Sequence, residues 1–478
     1  MIEQRTTILG GTTLLMASSV FNAVVSIFTT SLIAKSIGPE LYGRYTFGLT
    51  FILTFLGLAT FGLEAVYVRN GATEKNHVPR IIELLHLRSI IAISFTLLAV
   101  LMGHVLEYPA QLMTVIYILC GGLFFQILYE TLLGLYKSLE QMHIVALASV
   151  AFRVFTAVVI LVSIYSGVGL LGVVSAYTIG NALVFVGLFV WFYREFRLFH
   201  FDFQPSRWLS LIKEGVPFYI SGLLAVFYAR FSLLVLSKTA GEFDMGLYMC
   251  AQALVESLWF IPAAFQTTFF SAFSRLYGTS PESLGLTYEK VAKYLIILTV
   301  GVCSGTILVA KPIIDLIFGS QYEGAVSTLQ ILIFYWAFVA ISQTQSSLLY
   351  SIRKEIIQTK VMVLACLVTV VLSFTLIPRF GIIGAAFALT MAEALVVAVL
   401  TTVLWQAQLR YKPGIVLGSL AVSVALMVVL VKVSLNINVF IGIGVGTNEH
   451  STCKTNFHRK GTEFCALMND QNVRQVNF

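Results

Sequence analysis

Between Arg5 and Lys35 the chain reads TTILGGTTLLMASSVFNAVVSIFTTSLIA, positions 6–34, without one charged residue. A helix needs about 20 apolar residues to cross a bilayer. This stretch is long enough, and its backbone can satisfy itself in lipid only as a helix. Immediately after it comes Ile37-Gly-Pro-Glu-Leu-Tyr-Gly-Arg-Tyr45, a Gly-Pro pair suited to a reversal, and then a second apolar run. A membrane helix, a tight turn and a second membrane helix is the pattern that repeats along the chain.

Outward from this hairpin, twelve spans are predicted: 8–34, 45–67, 86–106, 112–134, 144–165, 170–193, 214–237, 247–270, 291–318, 329–350, 360–377 and 382–405. A thirteenth apolar run covers 415–433, and 446–478 is a polar tail. Composition agrees. The 478 residues are 58% hydrophobic and 11% charged, against about 25% charged in soluble proteins. The roughly ten-residue alternating segments of a membrane β-barrel are absent from the sequence. The predicted fold class is therefore an all-α polytopic membrane protein. The net charge of +7 does not imply nucleic acid, because Lys and Arg sit in short loops as topology requires. Eighteen of them flank spans on the side of the N-terminus and six on the other. That places the N-terminus in the cytoplasm. The first span runs well beyond a signal-peptide core and is read as retained. Cys120, Cys250, Cys303 and Cys366 lie in apolar runs and Cys453 and Cys465 in the tail. No spacing reads as a metal site, and no cofactor is expected.

Two internal repeats divide the chain. Gly38-x4-Gly43-x-Tyr45 and Gly241-x4-Gly246-x-Tyr248 share a pattern, and Gly169-Leu-Leu-Gly172 matches Gly381-Ile-Ile-Gly384. Both pairs recur at nearly one offset, in matching slots. Six spans per half gives parallel repeats, with a substrate site expected between them. The predicted organisation is 1–200 and 201–410 as two six-helix lobes forming a V, 411–445 as an extra span and 446–478 as the tail.

Polar residues at helical spacing mark candidate lining faces: Ser18, Asn22, Ser26 and Thr29 in span one, and Thr46, Thr50, Thr54, Gly57 and Glu64 in span two. Gln252 and Glu256 lie one turn apart in span eight. Such stripes suit either a hydrated cavity or helix–helix packing. Ionisable residues within spans are costlier and are candidates by default. Arg230 and Glu256 lie at similar depths, either as a pair or each facing a cavity. Arg153 sits mid-span in span five, Glu393 in span twelve, and Glu64 and Arg69 end span two. Arg suits phosphate through its planar, permanently charged fork. Carboxylates in the same cavity are candidates for binding a coupling H⁺ or Na⁺.

Three stretches carry a family resemblance: Ile37 to Tyr45, Gly134-Leu-Tyr-Lys-Ser-Leu-Glu-Gln-Met142, and Gly215-Val-Pro-Phe218 through Gly246-Leu-Tyr248 to Ile261-Pro-Ala-Ala-Phe265. Phe318-Gly319 with Tyr322 also fits. Over about residues 8–410 the chain resembles a polysaccharide-unit flippase of the multidrug/oligosaccharidyl-lipid/polysaccharide exporter superfamily, of the O-antigen translocase (Wzx-like) type. The resemblance implies alternating access without covalent chemistry, at the cytoplasmic membrane, in cell-surface polysaccharide (lipopolysaccharide) biosynthesis. It implies a polyprenyl-pyrophosphate oligosaccharide as substrate. Its other partners would be membrane lipids, a coupling ion and polysaccharide assembly proteins. It implies that spans one, two, seven and eight line the cavity, which favours Arg230, Arg69 and Glu256 over Arg153 and Glu393; Asn22 and Gln252 are the polar substrate-binding candidates beside them. Where relatives carry an Asp after the span-seven Arg, this chain has Ser232. The rival readings are a drug/cation antiporter of the same superfamily and a membrane-embedded polymerase or glycosyltransferase. The latter needs a large loop, and the loops here are short.

Overall fold

The computed structural model describes residues 2–71, 80–197 and 205–406, with isolated positions 418 and 425. The thirteenth span, the tail with Cys453 and Cys465, and the Arg69 side chain lie outside the described residues. The chain divides into a compact unit, Met1–Ala421, and a second unit, Val422–Phe478. The twelve α-helices of the described residues all belong to the first unit.

They are α1 Ile2–Leu58, α2 Leu63–Gly71, α3 Arg80–Val105, α4 Ala110–Ser138, α5 Met142–Tyr165, α6 Leu170–Phe196, α7 Pro205–Thr239, α8 Glu242–Ser257, α9 Phe260–Thr279, α10 Pro281–Ile317, α11 Ala325–Ser351 and α12 Glu355–Gln406. Ten helical stretches among the described residues are long and apolar enough to cross a membrane. Two of these contain a reversal and cross twice, which makes the twelve predicted crossings.

The reversals follow from Gly and Pro. In α1, Gly38 takes φ 78°, ψ 170° ahead of Pro39. Asn22 and Thr50 flank it and line one cavity; an unbroken helix would hold them about 42 Å apart. In α12, Gly381 takes φ 54°, ψ −130°. On α7, Ser232 hydrogen-bonds Ser373 at 2.9 Å, and Tyr228, one turn away, donates to Glu393. Neighbouring residues of α7 thus hold both arms of α12.

The internal repeats reappear as geometry. Gly169 sits at φ 68°, ψ −142°, nearly the conformation of Gly381. Each is followed three residues later by a glycine packed on the end of the preceding span. A Cβ on Gly172 would stand 2.6 Å from Ser163 Cβ, and one on Gly384 would stand 2.3 Å from the Leu376 carbonyl oxygen. The first glycine of each pair supplies the left-handed turn and the second the close approach.

Two breaks depart from the predicted spans. Span two stops at Leu58 and resumes at Leu63, with Phe61 at φ 47° and Gly62 at φ 65°. A break in lipid strands carbonyl groups. Arg88 from α3 donates into the break: its Nη1 lies 2.7 Å from the Ala59 oxygen and 3.1 Å from that of Thr60, which Leu63 N also reaches at 3.2 Å, while Nε reaches Thr131 Oγ1 at 3.2 Å. Arg88 is 2% exposed, so one of the eighteen cations counted at the span ends is a buried group inside the fold. Span eight breaks between α8 and α9, where the Leu258 oxygen accepts from Ile261 N at 3.1 Å and from Trp336 Nε1 of α11 at 3.2 Å.

Within the first half, α4 packs on α3, α5 and α6, and α1 on α4 and α5. Within the second, α11 packs on α8, α9, α10 and α12, and α12 on α7. The α11 span is 89% buried, which makes it the central helix of its half. Cys120, Cys250, Cys303 and Cys366 are buried free thiols, as expected of small apolar groups.

Candidate functional site

The two halves meet first at the glycines of the longer repeat. On the Gly38 side, a Cβ on Gly43 would lie 1.8 Å from the Glu242 carbonyl oxygen and 2.7 Å from Gly246 N, and a Cβ on Gly246 would lie 2.1 Å from the Pro39 oxygen. The second glycine of each repeat thus faces the other across the interface, and the backbones touch because neither has a side chain. Arg44 adds a fork to Glu242, Nε at 2.9 Å and Nη2 at 2.6 Å from Oε2. Tyr322 donates to the Ala34 oxygen at 2.9 Å and Lys35 to that of Leu316 at 2.8 Å. These contacts clasp the halves on the Gly38 side.

Towards the opposite side, α7 takes over. Phe61 stacks on Tyr219 with centroids 4.9 Å apart and planes 11° apart. A Cβ on Gly215 would stand 2.1 Å from the Phe61 oxygen. The break in span two is therefore also the place where span two bears on span seven.

Between clasp and bearing lies a cavity of about 630 Å³ with walls from both halves. The first half contributes Asn22, Ser26 and Thr29 from span one, Tyr45, Thr46 and Thr50 from span two, and Arg153 and Thr156 from α5. The second contributes Arg230 from α7, Glu256 and Ser257 from α8, and Trp259 and Phe260 at the break. Among the described lining residues the ionisable groups Arg153, Arg230 and Glu256 sum to one net positive charge. Several hydroxyls spend their proton on their own helix: Thr29 donates to Val25 O and Thr46 to Tyr42 O, both at 2.8 Å. Their oxygens remain as acceptors. The result is a cationic pocket walled by acceptors.

The sequence candidates separate into three groups. Asn22, Arg230 and Glu256 line the cavity, and of the two readings for the last pair both side chains face it. Arg153 lines it as well, contrary to the expectation that span five packs only within its lobe. Span five is a fourth wall, while span seven supplies Arg230 alone among the described residues. Gln252 stands behind the wall, donating to Glu256 Oε1 at 2.7 Å, with its own Oε1 buried and unpartnered. The rest lie elsewhere. Glu64 pairs with Lys137 at 2.6 Å between α2 and α4, away from the lining residues. Glu393 is 5% exposed inside the second half, held by the hydroxyls of Tyr228 and Ser342. Of the predicted stripes, Ser18 is buried and donates to Leu15 O, and Gly57 packs against Val226. Sequence reasoning missed Arg88 and Trp259. A charge next to a predicted span end carries no signal of burial, and an aromatic in an apolar run looks like core.

A family model described as polysaccharide biosynthesis protein matches residues 8–277, more than half of the chain. The capsular polysaccharide biosynthesis protein CapF of Staphylococcus aureus is 18% identical over 387 residues, 79% of this chain and 94% of that protein. Among solved structures, the lipid II flippase MurJ in an inward closed conformation superposes with a TM-score of 0.72 at 13% identity, covering 92% of this chain and 99% of that one. An inward-facing multidrug resistance MATE family transporter of the MOP superfamily superposes with a TM-score of 0.64 at 16% identity, covering 80% of this chain and 94% of that one. These likenesses give the chain the fold of MOP-superfamily transporters.

Proposed function

The chain belongs to the polysaccharide biosynthesis protein family, and from that premise we propose that it is a flippase moving polyprenyl-pyrophosphate-linked oligosaccharides across the cytoplasmic membrane by alternating access. The observation that carries this is the pair of guanidinium groups, Arg153 and Arg230, supplied by opposite halves to one cavity. A pyrophosphate carries its charges on adjacent groups, and Arg binds such oxygens bidentately. The acceptor-rich wall suits sugar hydroxyls. A volume of about 630 Å³ falls within the usual range of small-molecule pockets, roughly 300–1,000 Å³. It holds a short saccharide head and leaves the polyprenyl tail in lipid.

In this reading the cationic loops and the N-terminus face the cytoplasm. The Gly38 side then faces out, and the glycine clasp is the outer closure. Release of the head requires that clasp to part while the halves tilt about spans two and seven. Glu256 is the lining carboxylate available to a coupling H⁺ or Na⁺ among the described residues.

The test uses vesicles holding the purified protein and a fluorescent polyprenyl-pyrophosphate oligosaccharide, scored for movement between leaflets. Wild-type movement, with loss of ten-fold or more in Arg230→Ala and Arg153→Ala at equal folded protein, supports the proposal. Undiminished movement in both variants puts the head group elsewhere, with Arg69 next to be tested. A folded wild type that moves none of several saccharides, but exports hydrophobic cations, establishes the drug-antiporter alternative, which the MATE-like fold also accommodates.

A further inference from the structure

The break in span eight does more than bend a helix. A regular helix turns about three or four of every seven residues towards one face. Here six of the eight positions from 253 to 260 line the cavity. Interrupting the helix rotates its second part, so Glu256 and Ser257 are followed at once by Trp259 and Phe260 on the same wall. The interruption is also held from outside, because the Leu258 oxygen, which accepts from Ile261 N at 3.1 Å within the turn, accepts a second bond from Trp336 Nε1 at 3.2 Å.

What the break presents is unusual for a polar cavity. Trp259 and Phe260 are each 39% exposed, although burying large aromatic surface is favourable. The indole N–H of Trp259 makes no hydrogen bond among the described residues. One turn earlier, Glu256 accepts Gln252 Nε2 on Oε1 at 2.7 Å, which fixes the carboxylate and leaves Oε2 as an acceptor. The Gln252 oxygen is buried without a partner. Across the cavity the Asn22 oxygen is likewise buried and unpartnered, while Asn22 Nδ2 reaches Ser149 at 3.3 Å. An exposed aromatic plane beside a fixed carboxylate with a free acceptor oxygen matches the two surfaces of a pyranose: an apolar C–H face and a rim of hydroxyl donors.

We infer that the α8–α9 break forms a sugar subsite, with Trp259 as the stacking platform for a pyranose ring and Glu256 as the acceptor for its hydroxyls, steadied by Gln252. It deepens the flippase reading and rests on it: Arg153 and Arg230 hold the pyrophosphate, and the break reads the saccharide. The division predicts that sugar preference and phosphate affinity are set by different residues. Stacking geometry favours a ring whose axial hydroxyls lie on one face only, leaving the other face flat.

The experiment titrates the purified full-length protein with two probes, short-chain prenyl pyrophosphate and the same lipid carrying a disaccharide, following intrinsic tryptophan emission and radiolabelled binding. In the wild type the disaccharide probe is expected to bind more tightly than the bare lipid and to shift an emission component absent from Trp259→Phe. In Trp259→Ala the ratio of the two affinities is expected to fall about ten-fold, the size of one aromatic contact with its buried area. Trp259→Phe should restore most of that ratio. An unchanged ratio in Trp259→Ala, or an emission shift that survives in Trp259→Phe, overturns the sugar subsite while leaving the flippase reading in place. A wild type that binds both probes equally also overturns the subsite alone. A wild type that binds neither probe overturns both. Binding of the bare lipid by each variant serves as the control for a folded cavity.

Discussion

Replacing Gly43 by alanine tests whether the glycine clasp holds the cavity shut. The added Cβ would lie 1.8 Å from the Glu242 carbonyl oxygen, against about 3.4 Å for ordinary contact. The halves must therefore separate there by roughly 1.5 Å, or one helix must shift by as much. The atom struck belongs to backbone, so no side-chain rotation relieves it. Overpacking of this kind costs about 1–3 kcal/mol, and the burden falls only on the state in which the clasp is closed. The population ratio of clasp-open to clasp-closed protein should rise by about 5- to 150-fold. The Arg44–Glu242 pair opposes this weakly, since partly exposed ion pairs contribute about 1 kcal/mol or less. The assay places a cysteine at Ser26, which lines the cavity, with Cys453 and Cys465 changed to serine. A membrane-impermeant maleimide is then applied from the Gly38 side of oriented vesicles. Labelling should be faster in Gly43→Ala and in Gly246→Ala than in the parent. Gly187→Ala, where nothing lies within 4 Å of the new methyl group, should label like the parent. Folded Gly43→Ala protein that labels at the parent rate would refute the clasp.

Three further outcomes are expected from the geometry. Arg88→Met removes the donors to the Ala59 and Thr60 oxygens and should cost about 2–4 kcal/mol, seen as a lower thermal midpoint in detergent; an unchanged midpoint would mean water or another group caps the break. Gly381→Ala and Gly169→Ala each force a side chain into left-handed backbone and should destabilise by about 1–3 kcal/mol to a similar degree, and a large disparity between them would speak against equivalent turns. Glu64→Gln should leave leaflet-to-leaflet movement within two-fold of wild type, because Glu64 pairs with Lys137 outside the cavity; a loss of ten-fold or more would assign it a role in transport.

The division between legible and illegible features is visible residue by residue. The reversals at Gly38, Gly169 and Gly381 were readable because a glycine beside a proline, or in a repeated Gly-x-x-Gly, has few conformational explanations. Three of the four stripe residues of span one were readable: Asn22, Ser26 and Thr29 line the cavity, while Ser18 lies off it and donates to Leu15 O. The charged residues were the least readable. Glu64, Arg88, Arg153, Arg230 and Glu393 all lie within membrane helices, yet two line the cavity, one caps a break, one sits in an ion pair and one is held by two hydroxyls. Each of these outcomes satisfies the same physical demand, a partner for a polar group in lipid. Sequence states the demand without naming the partner.

The sequence by itself determined the membrane class, the number of crossings and the two-fold repeat of the described chain, because these depend on hydrophobic length and local backbone preference. Only the tertiary structure decided that span five faces the cavity, that spans two and eight are broken, and that Arg88 and Trp336 donate to the carbonyl groups at those breaks. Such choices are made by contacts between residues far apart in the chain. In lipid, where apolar surface gives little guidance about which helix face turns inward, side-chain fit and hydrogen-bond satisfaction across helices make the selection.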